Sequence, residues 1–335
     1  MRSKLAALLR SLLSLFLLAA PVVAAAQAAA DSGLISQPGA NFVVKDSELP
    51  RNFSIIVYGD MRFTDPTNTT AADPDARRAL VAKIADEHPD ALILTGDVPW
   101  RGTFAADYAE FKLETAVWRT ENLRVYPTLG NHEFSGKGTD DPLQDWWSTF
   151  PELKNRRWYS VALGSRVYLT CLDSDADLTP GTPQRTWLED QIQHLSPKVE
   201  FVILAMHHPP VADIQTKEHV DHNPRPNEIA LRDYLSQVAP KSHAKFIVAS
   251  GHIHNYERAE VDGVTYLVSG GGGAHPYEVE RTAQDQYQAT DFPNFHYILF
   301  HLDGKQLKAT MYRLGLPIAT PPEWQARDSF VVPAK

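Results

Sequence analysis

The feature that most constrains this chain is an alternation of short apolar runs with longer amphipathic segments, which begins near Phe53. The apolar runs are rich in β-branched residues and are bounded by polar residues or glycine, as buried strands are. The clearest of them are residues 53–58, 91–95, 123–129, 201–206 and 245–249. Because strands that alternate with helices build a largely parallel sheet covered on both faces, the pattern predicts an α/β fold.

Helix signals lie between these runs. Asp73-Pro74 and Thr182-Pro183 are each typical of a helix N-cap followed by proline at the first helical position. A further helix is predicted over residues 105–119. From Ala259 the pattern changes to strands alone, and Asp303-Gly304 is a two-residue hairpin signal.

The two ends of the chain differ from its middle. Positive residues precede an apolar run from Ser11 to Ala20, and Ala26-Gln27-Ala28 fits a signal-peptidase site, so residues 1–28 are predicted to be a secretory signal peptide. The alternative is a membrane anchor, but the run is short for a span of about 20 residues. We therefore expect a secreted or periplasmic protein with no stable membrane anchor after cleavage. The rest is predicted to form one domain at 45–320 with a C-terminal tail at 321–335.

Five short polar patterns follow directly on predicted strands. They are Gly59-Asp60, Gly96-Asp97, Gly130-Asn-His-Glu133, His207-His-Pro209 and Gly251-His-Ile-His254. Because ligands gather outside the carboxyl ends of the strands in open α/β sheets, we expect these side chains to lie close together. Carboxylates, an amide oxygen and imidazoles form a donor set that suits Fe, Zn or Mn rather than Ca²⁺, which prefers oxygen alone.

The order of these patterns resembles the calcineurin-like metallophosphoesterase superfamily over about residues 54–273, and residues 251–273 are especially similar to its purple acid phosphatase branch. The resemblance implies a four-layer α/β/β/α sandwich of two packed mixed sheets flanked by helices, with residues 45–320 as the catalytic domain. It also implies two divalent or trivalent metal ions that Asp97 would bridge. The remaining ligands would be Asp60 and His254 at the first metal, and Asn131, His207 and His252 at the second.

This resemblance implies hydrolysis of a phosphate ester. Two metal ions would stabilise the attacking and leaving oxygens of an in-line displacement, and a hydroxide shared by the metals would attack phosphorus. His132 is the natural general acid for the leaving group, and the alternative for it is a structural hydrogen bond to a neighbouring carboxylate. His207 fits the family's His-x-Pro spacing and is taken as the ligand, so His208 would face substrate or solvent.

Two positions depart from the family pattern. Arg62 stands where the superfamily usually has a histidine on the first metal, and Trp100 stands where the purple branch has a tyrosine ligand. Neither side chain can bind a metal ion. Three alternatives follow: the first metal keeps its other ligands and adds waters, it binds weakly and is acquired with substrate, or the site is degenerate.

Arg62 is a candidate substrate contact, because a guanidinium group suits phosphate oxygens. Arg101 is a second candidate, because Gly96-Asp-Val-Pro-Trp-Arg-Gly102 is similar to a run of the Ser/Thr protein phosphatases, and this resemblance implies a phosphate contact for the arginine. For Arg62 the alternative is a salt bridge to an acid such as Asp65, and for Arg101 it is an exposed position on a loop. Residues 214–227 are predicted to form a polar surface loop near the mouth of the site. Its histidines, His219 and His222, are expected either to be solvated or to shape substrate choice.

The net charge of −9 argues against a nucleic-acid surface, so a small phosphate ester or a phosphorylated substrate is the expected partner. Cys171 is the only cysteine and lies in an apolar run, which predicts a buried inert thiol and excludes an internal disulfide. The function predicted is that of an exported, acid-phosphatase-like phosphomonoesterase. The alternatives are a phosphodiesterase of the same superfamily and a catalytically degenerate metal- or phosphate-binding protein.

Overall fold

The structure is a computed structural model, and it describes residues 39–136, 138, 141–215 and 222–335. The predicted signal peptide at 1–28 and His219 lie outside the described residues. The strands are β1 Phe42–Val44, β2 Ser54–Tyr58, β3 Ala91–Leu94, β4 Val125–Pro127, β5 Tyr159–Leu163, β6 Val167–Cys171, β7 Phe201–Ala205, β8 Ile214–Gln215, β9 Lys245–Ser250, β10 Tyr256–Val261, β11 Val264–Ser269, β12 Val279–Glu280, β13 His296–Asp303, β14 Gln306–Leu314 and β15 Trp324–Pro333. The helices are α1 Pro74–Asp86, α2 Ala105–Glu114, α3 Ala116–Thr120, α4 Pro142–Thr149, α5 Pro183–Gln193 and α6 Pro226–Val238.

These strands form two mixed sheets and one short ribbon. The first sheet has the order β1-β5-β6-β7-β9-β11-β10, and β6, β7, β9 and β11 run parallel within it. The second has the order β15-β14-β13-β2-β3-β4, with β2, β3 and β4 parallel. β8 and β12 pair as a separate two-stranded ribbon. The predicted α/β/β/α sandwich of two mixed sheets with helices is confirmed.

The core explains why the central strands read as continuous apolar runs. Along β7, Ile203 belongs to the large core that includes β2 and β3, whereas Val202 and Leu204 belong to a second core with Leu188 of α5 and Leu231 of α6. Both faces of this strand are therefore buried, as expected for a parallel strand between layers. The ends of these strands are held in fixed positions by packing on each side.

Three sequence expectations need correction. The predicted helix over 105–119 is two helices, because the chain leaves α-helical geometry at Thr115. The strand expected over 123–129 is only β4. Residues 321–335 are not a separate tail, because β15 pairs with β14 along its length. Most β15 side chains are exposed at this sheet edge, so the segment lacks the apolar alternation that identifies a strand.

Other local signals behave as predicted. Asp73 caps α1 by accepting the backbone N–H groups of Asp75 and Ala76, and β13 and β14 form the hairpin around Asp303-Gly304. Thr182 precedes α5 but makes no side-chain cap to it. Cys171 is buried, and burial raises the pKa of its thiol to about 12, which fits an inert thiol. Among the described residues, no helix has the length and apolar character that a bilayer span requires.

Candidate metal centre

The five polar patterns lie where strands of both sheets end. Asp60 and Asp97 follow β2 and β3, Asn131 follows β4, and the histidine patterns follow β7 and β9. Three of these residues have left-handed backbone, with φ of 62° at Asp60, 53° at Asp97 and 70° at His252. Such conformations are costly for residues with a Cβ and cluster at functional sites. The chain is thus bent sharply at these three side chains.

The glycines of these patterns permit close approach of the loops. Gly96 has φ of 91°, and a Cβ there would lie 2.6 Å from His207 Nδ1. A Cβ on Gly130 would lie 2.6 Å from a carboxylate oxygen of Asp97. Any larger residue would therefore push apart the side chains that the strand ends bring together.

Four acceptor atoms converge on one point. Asn131 Oδ1 lies 3.0 Å from His207 Nε2 and 3.1 Å from His252 Nδ1, and His207 Nε2 lies 3.2 Å from both His252 Nδ1 and Asp97 Oδ1. His207 Nδ1 lies 2.8 Å from the Thr95 carbonyl oxygen, which can only accept, so Nδ1 donates there and Nε2 is the nitrogen that faces the other three atoms. A cation among these four atoms would be within reach of all of them. The donor set and its arrangement fit the second metal ion.

The electrostatics keep this cluster in its metal-binding form. Burial, together with His207, His208 and His222, holds the pKa of His252 well below its usual value. Burial alone would raise the pKa of Asp97, but His207, His132 and Arg62 hold it well below its ordinary range. A neutral imidazole and an ionised carboxylate are the forms that bind a metal ion.

The half of the site assigned to the first metal is arranged differently. Asp60 accepts the His252 backbone N–H with both carboxylate oxygens, at 3.0 and 3.1 Å. His254 Nδ1 donates to the His275 carbonyl at 2.5 Å, and its buried Nε2 lies 3.4 Å from Asp60 Oδ1 without a hydrogen-bond partner. Burial, then Arg62, lowers the pKa of His254. Two donors are thus in place beside Asp97.

Arg62 contacts Asp97, the carboxylate that was expected to bridge the two metals. Its Nε and Nη2 lie 3.3 and 3.2 Å from Asp97 Oδ2, and its guanidinium carbon lies 5.3 Å from the centre of the Trp100 ring. The partner of Arg62 is therefore Asp97, not the Asp65 suggested as an alternative. A first metal ion would have to share Asp97 Oδ2 with this positive group, so the residues present do not fit the first ion as they fit the second.

His132 points into the site with one ring nitrogen. Its Nδ1 donates to the Trp100 carbonyl at 2.6 Å, its ring stacks on the Trp100 indole at 4.7 Å, and its Nε2 lies 3.8 Å from Asp97 Oδ2. Burial lowers the pKa of His132 and Arg62 acts in the same direction, although Asp97 opposes them. The structural hydrogen bond of His132 goes to a backbone carbonyl and not to the neighbouring carboxylate considered as the alternative, whereas Nε2 stays available inside the site.

Glu133 belongs to the predicted Gly-Asn-His-Glu pattern but had no assigned role. It is fully buried, and its carboxylate accepts the backbone N–H groups of Asp97, Val98 and Gly130, at 3.1, 2.8 and 2.6 Å. It therefore ties the loop after β3 to the loop after β4 and fixes Asp97 relative to Asn131. The signal for this role was the glutamate three residues after a glycine that closely follows a strand.

Two further histidines line the site. His208 is buried, its Nδ1 lies 2.8 Å from Ser174 Oγ, and its ring centre lies 4.2 Å from that of His252. Burial, with His207 and Arg225 nearby, lowers the pKa of His208 to about 2. His222 is buried as well, stacks on Tyr277 at 5.0 Å, and meets the His252 ring edge-on at 4.6 Å. The expectation of a solvated His222 is therefore wrong.

The contacts of Arg101 do not place it with the other candidate site residues. Its guanidinium donates to both carboxylate oxygens of the buried Asp107, at 3.0 and 2.9 Å, and lies over the Phe104 ring. Because Asp107 lies at the beginning of α2, this ion pair fixes the helix to the loop. The structure thus gives Arg101 a structural partner instead of a free guanidinium for phosphate.

Comparisons with known proteins agree with this geometry. A family model described as calcineurin-like phosphoesterase matches residues 53–256, more than half of the chain. No curated protein matches the sequence significantly. Similar solved structures include a purple acid phosphatase from yellow lupin seeds (TM-score 0.64, 17% identity, 84% of this chain and 54% of that one). They also include a dimetal phosphatase from Danio rerio (0.57, 13%, 84% and 99%) and PhoD (0.61, 11%, 85% and 70%). This chain spans about half the length of the lupin protein, and at these identities the likeness shows the fold alone.

Proposed function

The chain belongs to the calcineurin-like phosphoesterase family, and on this premise we propose that it is an exported, metal-dependent phosphoesterase that hydrolyses phosphomonoesters. The family is dimetal-dependent, and the similar structures include phosphatases. The observation that carries the proposal is the convergence of four acceptor atoms from Asp97, Asn131, His207 and His252, 3.0–3.2 Å from their neighbours. A cation bound at this point would be coordinated by all four atoms at once.

The metal chemistry defines what the other residues must do. An Fe, Zn or Mn ion bound by these four residues would supply Lewis acidity to a phosphoryl oxygen and to the attacking water. Glu133 keeps the Asp97 and Asn131 loops at fixed separation, and the Thr95 carbonyl fixes the tautomer of His207. The site therefore meets its substrate with donors already in position, as an electrostatic catalyst requires.

His132 serves as the general acid. Because Nδ1 donates to the Trp100 carbonyl, the proton for the leaving oxygen is carried on Nε2, which faces the site near Asp97. Only the imidazolium can donate this proton while keeping the Trp100 hydrogen bond. Burial and Arg62 disfavour that form in the free protein, so the negative charge of the bound phosphate would raise the pKa of His132. Activity should then fall as the pH rises through that pKa, which favours an acid optimum.

The charge of the site supports monoesters over diesters. Arg62 and His132 approach the same oxygen of Asp97, at 3.2 and 3.8 Å. A phosphomonoester dianion presents more charge and more unsubstituted oxygens to such groups than a diester anion does.

Export is a separate part of the proposal and rests on residues 1–28. The positive start, the apolar run and the Ala26-Gln27-Ala28 site support secretion or passage to the periplasm. Expression of the full chain in a bacterium, followed by cell fractionation and sequencing of the mature N-terminus, tests it. A new N-terminus at residue 27 or 29 in the exported fraction is expected, and an intact Met1 in the cytoplasm would contradict export.

The hydrolytic proposal is tested by comparing two chromogenic substrates. Protein purified without chelator is assayed with nitrophenyl phosphate and with bis(nitrophenyl) phosphate while Mn²⁺, Zn²⁺ and Fe²⁺ are added in turn. We expect the monoester to be turned over at least about tenfold faster, with an acid optimum. A preference for the diester would identify a phosphodiesterase of the same family. Hydrolysis of neither substrate at full metal occupancy would identify a metal- or phosphate-binding protein instead.

A further inference from the structure

The two residues that depart from the family pattern, Arg62 and Trp100, touch one another in this structure. Their separation is 5.3 Å from the guanidinium carbon to the ring centre. We infer that the Arg62 guanidinium, held by Trp100, takes the place of the first metal ion, so that each chain binds one metal ion at Asp97, Asn131, His207 and His252. This inference rests on the proposed function for its chemistry, but its central prediction is a metal count.

The guanidinium occupies the oxygen that a first metal ion would need. Asp97 uses Oδ1 toward His207 and accepts the His132 backbone N–H there at 2.9 Å, whereas Oδ2 receives Arg62 Nε and Nη2. A guanidinium stays protonated, so it repels a cation in this place and cannot act as a ligand. One carboxylate therefore faces a metal ion with one oxygen and an arginine with the other.

Arg62 is built into this position. Its side chain is only 11% exposed, its backbone has φ of 48°, and its N–H donates to the Asp97 carbonyl at 2.9 Å. Its own carbonyl accepts from Arg77, a buried residue that forms an ion pair with Glu114. The guanidinium cannot easily swing away, because both its backbone and its flat face on Trp100 are fixed. Its place on Asp97 is therefore a property of the fold.

The remaining expected ligands of the first metal, Asp60 and His254, have positions that do not require that metal. Asp60 holds the His252 backbone N–H with both oxygens, which positions a ligand of the second site. His254 Nε2 is buried 3.4 Å from Asp60 Oδ1, and a single bridging water would satisfy it as well as a metal ion would. The positions of Asp60 and His254 are thus explained without a first metal ion. The positions of Arg62 and Trp100 are not explained if a first metal ion is bound.

The replacement has a direct chemical consequence. Among the described residues, none accepts a hydrogen bond from Arg62 Nη1, so this donor can bind a phosphate oxygen while Nε and Nη2 stay on Asp97. Arg62 would then supply, beside the single metal ion, the positive charge that a second ion supplies elsewhere in the family. A guanidinium is suited to this because its donors are spread in one plane.

Metal stoichiometry tests the inference. The mature protein is loaded with Mn²⁺, desalted, and its metal measured by mass spectrometry against protein concentration. We expect about one ion per chain for the wild type, and about two for Arg62→His and for the double variant Arg62→His/Trp100→Tyr, which supply the customary ligands. Electron paramagnetic resonance should show isolated Mn²⁺ in the wild type and a spin-coupled pair in these variants.

Arg101→His is the matched control, because it makes the same chemical change one loop away on a residue bound to Asp107. It should remain at one ion per chain. Two tightly held ions in the wild type, or no gain in both Arg62 variants while they remain folded by circular dichroism, would overturn the inference.

Binding of inorganic phosphate provides the second measurement. Calorimetry on the metal-loaded protein should show at least tenfold weaker phosphate binding in Arg62→Met with the metal content unchanged, and a smaller loss in Arg62→Lys. Unchanged phosphate binding in Arg62→Met would contradict the proposed contact. The metal count is independent of turnover, so one ion per chain without hydrolysis would refute the proposed function alone, and two ions with hydrolysis would refute this inference alone.

Discussion

Burial of Glu257 on β10 should make the free energy of unfolding depend on pH by an amount that can be measured. It is 4% exposed, its Oε2 accepts the Asp213 backbone N–H at 2.6 Å, and its Oε1 has no hydrogen-bond partner. Burial, together with the nearby carboxyl groups of Asp213 and Asp285, raises the pKa of Glu257 to about 8, and Arg281 only partly opposes them. The folded protein therefore keeps this carboxyl protonated at neutral pH.

The sign and size of the effect follow from linkage. The folded state holds the proton more tightly than the unfolded chain, whose glutamate has the ordinary pKa of 4.5, so this stabilisation is complete below pH 4.5 and is lost as the pH rises toward 8. Each unit of difference between the folded and unfolded pKa values changes the free energy of unfolding by about 1.4 kcal/mol, so the whole window changes it by roughly 5 kcal/mol. Between pH 5.5 and 8 the loss is about 3 kcal/mol.

The perturbation is Glu257→Gln, which keeps the shape of the side chain and removes its titration. The free energy of unfolding is measured by urea denaturation at pH 5.5 and 8.5, with chelator present so that metal binding does not contribute. Between these two pH values the variant should lose about 3 kcal/mol less stability than the wild type. Glu260→Gln, an exposed change on the same strand, serves as the control and should follow the wild type. Parallel curves for the wild type and Glu257→Gln would refute the reasoning.

Three further substitutions and one labelling experiment test the site and the core. His132→Ala should lower kcat by about 10²–10⁴ with unchanged metal content, and a matching loss of metal would show that His132 is a ligand instead. His207→Ala should weaken metal binding more than 100-fold, as measured by competition with a chromogenic chelator. Loss of a residue that only hydrogen-bonds to a metal ligand already weakens binding by up to about 100-fold, and His207 is itself a proposed ligand. Glu133→Gln should cost about 1–3 kcal/mol of unfolding free energy, because its amide nitrogen must face a backbone N–H. Glu121→Gln, a change at an exposed residue, is its control, and equal denaturation curves for the wild type and Glu133→Gln would contradict the role. Cys171 should react with a thiol reagent only after unfolding, since burial raises its pKa to about 12, and fast labelling of the native protein would show that the thiol is accessible.

The sequence predicted the layers of the fold because the central strands are buried on both faces. Residues such as Ile55, Leu92 and Ile203 have no exposed surface, so their runs contain almost no polar interruptions to obscure the strands. The edge strand β15 was missed for the opposite reason. Its side chains are largely exposed, and it is held by pairing to β14 and by the ion pair of Asp328 with Arg258. Backbone pairing leaves no periodic trace in the residues of an exposed strand.

The candidate site also has features that could be predicted from the sequence and features that could not. The convergence of Asp60, Asp97, Asn131 and the histidines could be predicted, because parallel strands place their carboxyl ends together at one edge of each of the two packed sheets, whatever the loops do. The partner of Arg62 could not, since its position depends on the left-handed backbone at Arg62 itself and on the neighbouring indole. His222 is a similar case, because a polar, proline-containing segment gave no sign that this ring would be buried against His252 and Tyr277.

The backbone geometry of the site indicates that its cost is met elsewhere in the fold. Left-handed φ values at Asp60, Asp97 and His252 cost of order 1–3 kcal/mol each, and atoms of Asn131, His207 and His252 are held 3.0–3.2 Å apart before any cation binds. The apolar layers on both sides of strands such as β7 must therefore hold the loops in place beforehand, and Glu133 links two of them. A cation that binds here enters a site that the core has already ordered, so its affinity should depend on the ligands rather than on folding of the loops.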